Sequence, residues 1–583
     1  MGKNQSKKRT QAEPKTTKAR TKSAYDYSGY QVKHANKFVI AAAMLSFLLL
    51  ISVFKNISYP LFWADESMTA IGTERVLEYG YPKVHDGKNV FYDLRHSNPT
   101  LGIDEKDDAY VGGAGWAQYY FGIIGYKLAE KAENIFTKTG IFRATFALAG
   151  LAGIFLFGFF ISGIYADRFS RYAFLSLFVL LELISVSMAL LIREVRYYSL
   201  VLMLVSVAIG LYARYRFYNP LNKIFFISIL SLCLWLLFNT FAPVYFIVLV
   251  TIGLTEVIVV SYQSLSTNFK NALTSSAPVL IALVVSFVAV YSLLGYFRTF
   301  EIAGAMKEFN HFTGDLYWQN VSTAFNFFKH FDLLGLLIIF KILVLLNMRT
   351  LLKENSPSFR ISSFLTLFFI VFIFFIARIP NFIYTRYIIY LQPIVSVIII
   401  LDFLWLLKVY ARESTTFISL KMIAPLSIFT IAVITFLAVN GDYISGHVYE
   451  LMHPYKGPLD YTIPFLKEKY PASDTLVIAA NYEETSYMYY LKSKVIIGFT
   501  GNNLSADSIL VPHVIAYRKT WSNYGSIFNK YLQITPFDAQ TFPVKDIPVN
   551  NIPELNFKPA FNHHFRMQLP ADDKDQTYLF LRK

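Results

Sequence analysis

The sequence predicts a polytopic α-helical membrane protein with a soluble α/β domain at its C-terminal end. Of the 583 residues, 55% are hydrophobic and only 16% are charged, whereas soluble domains carry about 25% charged residues. Apolar runs of about 17 to 25 residues alternate with short polar segments, which is the pattern of helices that cross a bilayer. Beyond residue 441 this pattern stops, and short β-rich and helical runs alternate instead.

The segment 1–37 is predicted to be a disordered, cytoplasmic tail, because it is rich in Lys, Thr, Ser and Gln. Its first 22 residues hold eight basic side chains, at Lys3, Lys7, Lys8, Arg9, Lys15, Lys18, Arg20 and Lys22. With a formal net charge of +15, this excess fits the positive-inside rule of membrane proteins and not nucleic-acid binding. The apolar run 38–54 is predicted to be a retained helix that starts inside and ends outside.

The apolar runs predict about eleven transmembrane helices. They lie at about 38–54, 141–163, 172–192, 197–213, 224–241, 244–260, 277–297, 331–348, 361–377, 387–407 and 421–440. Alternate loops contain Lys or Arg, at 167–171, 214–223, 261–271, 349–360 and 408–421. Because basic loops stay in the cytoplasm, the N-terminus is predicted to be cytoplasmic. With an odd number of helices, the C-terminus is then outside.

The chain therefore divides into three predicted parts. The tail 1–37 is followed by a transmembrane domain at 38–440, whose first outer loop runs from 55 to 140. Within that loop, 68–77 and 116–129 have helical spacing with aromatic faces, so they are predicted to lie along the membrane interface.

The third part, 441–583, is predicted to be an α/β domain outside the membrane. The β-rich runs 475–479 and 494–498 flank a helical run at 482–491. Such alternation of short strands with a helix is typical of an α/β unit.

Three polar clusters fall on the predicted outer face, in segments far apart in the sequence. They hold Asp65 and Glu66 after the first span, Arg193, Glu194, Arg196 and Tyr197 after the third, and Arg378, Arg386 and Tyr387 before the tenth. Carboxylates can act as general bases or metal ligands, and guanidinium groups hold phosphate by paired hydrogen bonds. The clusters therefore predict a site for a lipid-anchored substrate that bears a phosphate.

The same residues could have structural roles instead of roles in a functional site. Asp65 could cap the helix that follows it, and Glu66 could favour the dipole of that helix. Glu194 could form a local ion pair with its neighbouring arginines, and Arg386 could anchor the end of a span by snorkelling. Glu182 and Lys341 are predicted near mid-membrane, where charged groups usually face the bundle interior and pair.

The order and shared face of these clusters resemble the GT-C membrane glycosyltransferases. The resemblance is to the branch that contains the protein O-mannosyltransferases and the aminoarabinose transferase of lipid A. It rests on the acidic pair after the first span, the segment Arg-Glu-Val-Arg-Tyr-Tyr at 193–198, and the Arg-Tyr…Pro segment at 386–393. It covers roughly 38–440 and implies an inverting transfer of a sugar from a polyprenyl-phosphate donor to a hydroxyl acceptor.

The resemblance also implies roles for individual residues. Asp65 is expected to be the catalytic base, with Glu66 in support, and Arg386 with Arg196 is expected to stabilise the phosphate leaving group. The substrate-binding candidates are Arg193, Glu194, Arg196, Tyr197, Arg378, Arg386 and Tyr387. No metal or cofactor is predicted, although a divalent metal is an open alternative. His85, Asp86 and His96 have a spacing that fits no compact metal site.

The expected partners are a polyprenyl-phosphate sugar and a lipid, glycan or protein acceptor in the membrane, with no nucleic acid. The expected location is a bacterial inner membrane. A transporter or flippase of lipid-linked saccharides is the alternative function, and a scaffold protein is a third. Transporters often carry internal repeats with broken helices in matching halves, and the sequence shows no such symmetry.

Overall fold

A computed structural model describes most of the chain. The described residues are 27–90, 109–111, 115–266, 268–309, 311–347, 356–379, 383, 385–412, 420–496, 510–518, 525–546 and 576–583. The first 26 residues of the predicted disordered tail 1–37 and the potential ligand His96 lie outside these ranges. The prediction of disorder is wrong for 27–37, which belong to the first helix.

Helices make up most of the described part of the chain before residue 453. They are α1 (Tyr27–Phe54), α2 (Ala64–Tyr79), α3 (Ala117–Ala129), α4 (Ile135–Ser162), α5 (Arg168–Ile184), α6 (Val186–Leu191), α7 (Tyr198–Phe217), α8 (Lys223–Ser266), α9 (Phe269–Tyr296), α10 (Thr299–Phe309), α11 (Gly314–Phe331), α12 (Leu334–Leu346), α13 (Pro357–Ile376), α14 (Thr385–Ile388), α15 (Gln392–Arg412), α16 (Leu420–Val439) and α17 (Gly441–Met452). Large apolar side chains such as Met44, Leu148 and Val257 are exposed on their outer surfaces, as expected of helices that face lipid.

The predicted polytopic helical architecture is confirmed, but the number of spans is not. In the described ranges, seven helices are long and apolar enough to cross a membrane, or eight if a bent pair counts as one span. The difference from eleven has a physical cause. Helices α5, with 17 residues, and α12, with 13 residues, are short, and 423–439 meets 444–452 at a bend of 63°.

Helix α8 accounts for the remaining difference, because it contains two of the predicted spans. Its 44 residues would measure about 66 Å if straight, roughly twice the hydrocarbon thickness of a bilayer. Phe241 breaks it with φ −155° and ψ 94°, and Pro243 follows. Beyond the break, Glu256 pairs with Arg216 at 3.2 Å, close to where α8 began. The two halves of α8 therefore run in opposite directions.

The inter-helix loops gather at two ends of the bundle. At one end, Arg216 donates a hydrogen bond to Ser276 at 3.1 Å, and Arg360 donates to the carbonyl of Phe217 at 3.2 Å. At the other end, the ring of Phe241 stacks against Tyr197 and Tyr387. The first set comes from loops predicted to be cytoplasmic and the second from segments predicted to be outside. Which end faces the cytoplasm stays a prediction.

The buried charges within the bundle form pairs that the sequence did not specify. Lys341 of α12 pairs with Asp402 of α15 at 3.0 Å, and Ser362 hydrogen-bonds to both. Lys341 therefore does not pair with Glu182, which is fully buried on α5. The interpretation of Lys341 as a structural ion-pair residue agrees with this arrangement.

The predicted C-terminal α/β domain is confirmed. It contains α18 (Pro458–Lys469), β1 (Val477–Ala480), α19 (Glu484–Leu491), β2 (Lys494–Ile496), β3 (Val514–Ala516), α20 (Gly525–Ile534), β4 (Phe537–Lys545) and β5 (Gln576–Arg582). The strand order is β2-β1-β3-β5-β4, with β1 parallel to β2 and β3, and β5 antiparallel to β3 and β4. β1 therefore lies at the centre of a parallel unit of three strands, and α19, which follows β1, packs against α2.

The two helices of the first loop differ in their surroundings. One face of α3 exposes Tyr120, Ile124 and Leu128, as predicted for an interfacial helix. In contrast, α2 buries most of its side chains, because α3 packs on one side of it and α19 of the C-terminal domain packs on another. The expectation that α2 lies along the membrane interface is therefore not met, since protein covers it.

Candidate functional site

Asp65 lies in the first turn of α2, at the end of the bundle where the predicted outer segments meet. Trp63 occupies the N-cap position of α2, so Asp65 does not cap the helix. Its carboxylate oxygen Oδ2 lies 3.4 Å from Arg196 and 3.7 Å from Arg386. The side chain is 26% exposed. The structure thus brings one residue from each of the three predicted clusters together, around a carboxylate that solvent can reach.

The two arginines are held by aromatic rings and by Asp65. Arg386 lies over the rings of Trp63 and Tyr387, at 5.8 and 5.6 Å from their centres. Arg196 donates to the hydroxyl of Thr69 at 3.3 Å. Burial desolvates Arg196 and lowers its pKa, but Asp65 together with the neighbouring tyrosine side chains outweighs this effect and holds the pKa of Arg196 above its usual value. The guanidinium groups are therefore fixed cations beside the carboxylate.

Three stacked rings form a wall of the site. Phe241, at the break in α8, stacks against Tyr197 at 4.8 Å and against Tyr387 at 5.9 Å between ring centres. Tyr197 is buried, and Tyr387 is partly exposed. Phe241 was not among the predicted site residues, because the sequence places it in an apolar run where nothing distinguishes it from a packing residue.

Glu66, the neighbour of Asp65, points into the protein and not into the site. It has no exposed surface, and its Oε1 accepts hydrogen bonds from Arg143 Nε at 2.8 Å and from the backbone N–H of Val195 at 3.0 Å. Arg143 of α4 also donates to the carbonyls of Ile57 and Pro60. The contacts of Glu66 therefore join α2, α4 and the loop that carries Arg196.

Two other predicted residues, Arg193 and Glu194, are also buried beneath this loop. Arg193 forms an ion pair with Glu450 of α17, and Glu450 lies 3.8 Å from His447. Glu194 is 4% exposed. The structure places both residues on the same loop as Arg196, with their side chains inside the protein.

Arg378 occupies a separate position, in a cavity of about 520 Å³. The cavity lies between the C-terminal end of α13 and the helices α10 and α11, and it is lined by Ala303, Gly304, Lys307, Phe312, Thr313, Gly314, Tyr317 and Arg378. Its lining is mostly apolar, with two positive charges. Arg378 and Arg386 thus stand at the two ends of one short segment, the first in this cavity and the second beside Asp65.

The C-terminal domain holds the segment that carries Asp65. Thr485 Oγ1 donates to the carbonyl of Ala64 at 2.6 Å, and Ser486 Oγ donates to the carbonyl of Phe62 at 2.8 Å. The N–H of Phe62 donates to the hydroxyl of Tyr490 at 3.0 Å. All three partners lie on α19, so the domain clamps the backbone on the N-terminal side of Asp65. Sequence reasoning missed this clamp, because side chains more than 400 residues away make it.

The clamp supports a prediction. Replacing Thr485 by Val keeps the shape of the side chain but removes its hydrogen bond to the partly buried carbonyl of Ala64, at a cost of about 0.5–1.5 kcal/mol. We expect a lower thermal midpoint of the purified protein and, because Asp65 follows Ala64, reduced activity. The matched control is Thr475→Val, whose hydroxyl bonds locally to Ala472 on the surface, and which should change the free energy of unfolding by less than about 0.5 kcal/mol. Equal effects of the two variants would contradict the clamp.

Asp460 makes the docking of the C-terminal domain sensitive to pH. Burial raises the pKa of Asp460 to about 7, although hydrogen bonds from the N–H groups of Gly457 and Leu61 act in the opposite direction. Since the pKa in the folded state exceeds the ordinary value of 3.8, the folded protein binds a proton that the unfolded chain has released. Stability from this group is therefore full below about pH 4 and is lost as the pH rises to about 7.

We expect that Asp460→Asn removes this contribution. Thermal unfolding of the wild type and of the variant between pH 4.5 and pH 7.5 is the measurement. The difference between their midpoints should change across this range, because the wild type alone loses the contribution from residue 460. Parallel pH profiles would contradict the assignment.

No cluster in the described ranges has three or more His, Cys, Asp or Glu side chains that could hold a metal ion. Asp86, one of the potential ligands in the first loop, pairs with Arg75 at 3.2 Å. The ionic contacts of Asp65 are with arginines, so its described surroundings favour an anion as the ligand.

Comparisons with known proteins bear on the fold. No family model matches the chain, and no curated protein matches it by sequence. The chain is similar in fold to the crystal structure of ArnT from Cupriavidus metallidurans bound to undecaprenyl phosphate. The match covers 93% of this chain and 97% of ArnT, with 12% sequence identity and a TM-score of 0.50.

Weaker likeness extends to the oligosaccharyltransferase of Archaeoglobus fulgidus in its apo form. It covers 86% of this chain and 69% of that one, with 12% identity and a TM-score of 0.47. The likeness to ArnT confirms the GT-C fold that the sequence predicted.

Proposed function

We propose that the chain is an inverting glycosyltransferase that moves a sugar from a polyprenyl-phosphate donor to a hydroxyl acceptor. The observation that carries this proposal is the partly exposed carboxylate of Asp65 between Arg196 and Arg386, at one end of a GT-C bundle. A base beside two cations is what attack by a hydroxyl on a sugar phosphate requires. The undecaprenyl phosphate bound to ArnT supports the choice of donor.

In the proposed reaction, Asp65 accepts the proton of the acceptor hydroxyl as its oxygen attacks the anomeric carbon. A bond forms between that oxygen and the carbon, and the bond from the carbon to the phosphate oxygen breaks. The electron pair stays on the phosphate, where Arg386 and Arg196 stabilise the added charge. Because phosphate is a competent leaving group, no general acid is needed. When donor binds, its phosphate competes with Asp65 for the arginines and leaves the carboxylate able to accept a proton.

The cavity at Arg378 fits the prenyl chain of the donor. Its volume of about 520 Å³ falls in the usual range for ligand pockets, about 300–1,000 Å³. Its mostly apolar lining suits that chain, while the positive charges of Arg378 and Lys307 attract an anionic lipid whose phosphate binds at Arg386 and Arg196. We assign the exposed face of Tyr387 to the sugar, and Tyr197, Arg193, Glu194 and Glu66 to positioning the site.

Arg386→Ala tests the phosphate contact. A hydrogen bond to a charged group contributes about 1.5–3 kcal/mol, so donor affinity should weaken by about 10- to 100-fold. Equilibrium binding of a radiolabelled polyprenyl-phosphate sugar to the protein in nanodiscs is the measurement. Arg168→Ala, an exposed arginine at the opposite end of the bundle, is the control and should bind normally. Unchanged affinity in Arg386→Ala would remove that residue from the phosphate site.

The proposal includes a location and an orientation. We place the chain in a bacterial inner membrane, with the tail 1–37 in the cytoplasm, the membrane domain at 38–440, and the domain 441–583 outside. Asp474→Cys provides a test, because Asp474 is exposed in that domain and the only native thiol, Cys233, is buried. An impermeant maleimide added to intact cells should label the variant. Labelling only after the cells are broken would reverse the orientation.

Transfer itself is tested with purified protein in liposomes, radiolabelled polyprenyl-phosphate sugars and a panel of lipid, glycan and peptide hydroxyl acceptors. Label should move to one class of acceptor, which would also identify the acceptor. If donor binds but label moves to none of them, and the donor is not consumed, the proposed activity is contradicted.

A further inference from the structure

Glu483 of the C-terminal domain has an unusual backbone conformation. It lies between β1 and α19, with φ 59° and ψ 28°, in the left-handed region that side chains other than asparagine and aspartate rarely adopt. Its side chain has no exposed surface. Such a conformation is unfavourable and persists only where the surrounding contacts hold it. The contacts around Glu483 therefore indicate what its conformation is for.

A buried arginine holds Glu483 in place. Arg518, which follows β3 and is 3% exposed, donates from Nη1 to the carboxylate of Glu483 and from Nε to that of Asp546. The backbone of Arg518 also pairs with the side chain of Asn481. Its N–H donates to Oδ1 at 2.8 Å, and its carbonyl accepts from Nδ2 at 2.9 Å. The ends of β1 and β3 are therefore joined around Glu483.

Glu483 sets the start of the helix that holds the segment of Asp65. Its carbonyl accepts a hydrogen bond from the N–H of Ser486 at 3.0 Å, in the first turn of α19. In the same turn, Thr485 donates to the carbonyl of Ala64 at 2.6 Å. Ala64 is the residue before Asp65. A change in the backbone of Glu483 would therefore move a donor that fixes Asp65.

The end of β1 also lies near the candidate site. Tyr482, the residue before Glu483, is buried at 6% exposure. Burial raises the pKa of its hydroxyl well above the usual value, and the charges of Glu483 and Asp65 act in the same direction. The charge of Asp65 thus reaches the residue next to Glu483, so the two carboxylates belong to neighbouring parts of the two domains.

We propose that Glu483 is a positioning residue for Asp65: its left-handed backbone, held by Arg518, directs the first turn of α19 onto the segment that carries the base. This inference rests on the proposed role of Asp65. Because Glu483 has no exposed surface, it acts through Thr485 and the carbonyl of Ala64 and not on the substrate. A misplacement of about 1 Å can lower a rate by about 10²-fold. A relaxed Glu483 should therefore lower kcat and leave donor affinity unchanged.

Replacing Glu483 by alanine and by glycine separates the backbone conformation from the charge. Both variants lose the ion pair with Arg518, but only glycine adopts a positive φ without steric cost. Glu483→Ala should lower kcat by about 10²-fold, whereas Glu483→Gly should stay within about fivefold of the wild type. Transfer at saturating donor gives kcat. Equilibrium binding of the radiolabelled donor should be equal in both variants and the wild type.

The matched control is Lys492→Ala. Lys492, at the other end of α19, is exposed and also has a positive φ, of 54°. Its ion pair is with Glu74, more than two turns along α2 from Asp65, so the variant should transfer sugar at the wild-type rate. Equal kcat in Glu483→Ala and Glu483→Gly would overturn the proposal, and so would a donor affinity that falls together with kcat. If Glu483→Ala does not fold, Glu483→Gly decides, and a loss of kcat beyond about tenfold would overturn the proposal.

A second readout does not depend on sugar transfer. Hydrogen exchange of the amides at 62–67, followed by mass spectrometry, reports how firmly α19 holds this segment. Exchange should be at least about tenfold faster in Glu483→Ala than in Glu483→Gly, the wild type or Lys492→Ala. If the wild type transfers no sugar, the proposed function fails, but this exchange pattern still decides whether Glu483 positions the segment. Unchanged exchange in Glu483→Ala would overturn the positioning even where sugar transfer is confirmed.

Discussion

Replacing Asp65 by Asn should lower the rate of sugar transfer by about 10²–10⁴-fold, the usual contribution of a general base. The substitution keeps the size of the side chain but removes its ability to accept the acceptor proton. It also removes the negative charge beside Arg196 and Arg386, so that charge no longer competes with phosphate for the two arginines. Donor affinity should therefore be kept or increased while kcat falls. Transfer rates under saturating donor, together with equilibrium binding of the donor, measure the two effects separately.

The matched control for this variant is Glu78→Gln. Glu78 lies near the opposite end of the same helix, exposed to solvent, so its substitution makes the same chemical change away from the site. It should transfer sugar at the wild-type rate. Full activity in Asp65→Asn would show that Asp65 is not the base, and lost donor binding in that variant would show that it acts through the fold.

Glu66→Ala should have the largest effect on stability. It leaves the buried guanidinium of Arg143 without its carboxylate partner, and breaking a buried ion pair in this way costs about 3–5 kcal/mol. It also removes the acceptor for the N–H of Val195, one residue before Arg196. We expect a large fall in the thermal midpoint and a weaker donor site. Thermal unfolding in detergent and donor binding measure these effects.

A double-mutant cycle assigns the effect to the pair. Arg143→Met combined with Glu66→Gln removes both charges, so the double variant should be more stable than the sum of the single changes predicts. The comparison pair is Lys127 and Glu130, which is exposed and 3.3 Å apart. Removing Glu130 should change the free energy of unfolding by about 0–1 kcal/mol. Additive effects at Glu66 and Arg143 would contradict their coupling.

The features that follow from local composition could be predicted from the sequence. Hydropathy identified the helical membrane part. The alternation of basic and less basic loops assigned the inter-helix segments to the two ends of the bundle. Because charged residues are costly within a bilayer unless they pair, helix ends were the favoured positions for Asp65, Arg196 and Arg386. Residues at the same depth in a small helical bundle lie close to one another, so the proximity of these three side chains could be predicted.

Features that depend on long-range packing could not be predicted. Arg143 lies inside an apolar span, and nothing in its neighbourhood shows that Glu66 is its partner. The separation of Asp65 from Glu66, one facing the site and one buried, follows from the rotation of α2 between α3 and α19. The predicted number of spans was not confirmed for a similar reason. Hydropathy shows that the α5 and α12 segments are apolar, but it does not show how short the two helices are.

The most direct test follows the fate of a donor labelled on both the sugar and the prenyl chain. Purified protein in liposomes receives this donor with the hydroxyl acceptor, and the two labels are separated by chromatography. The two labels should separate in equal amounts, with the sugar label on the acceptor and the prenyl label on free polyprenyl phosphate. If both labels stay on the intact donor while it moves to the other leaflet, the protein is a flippase and not a glycosyltransferase.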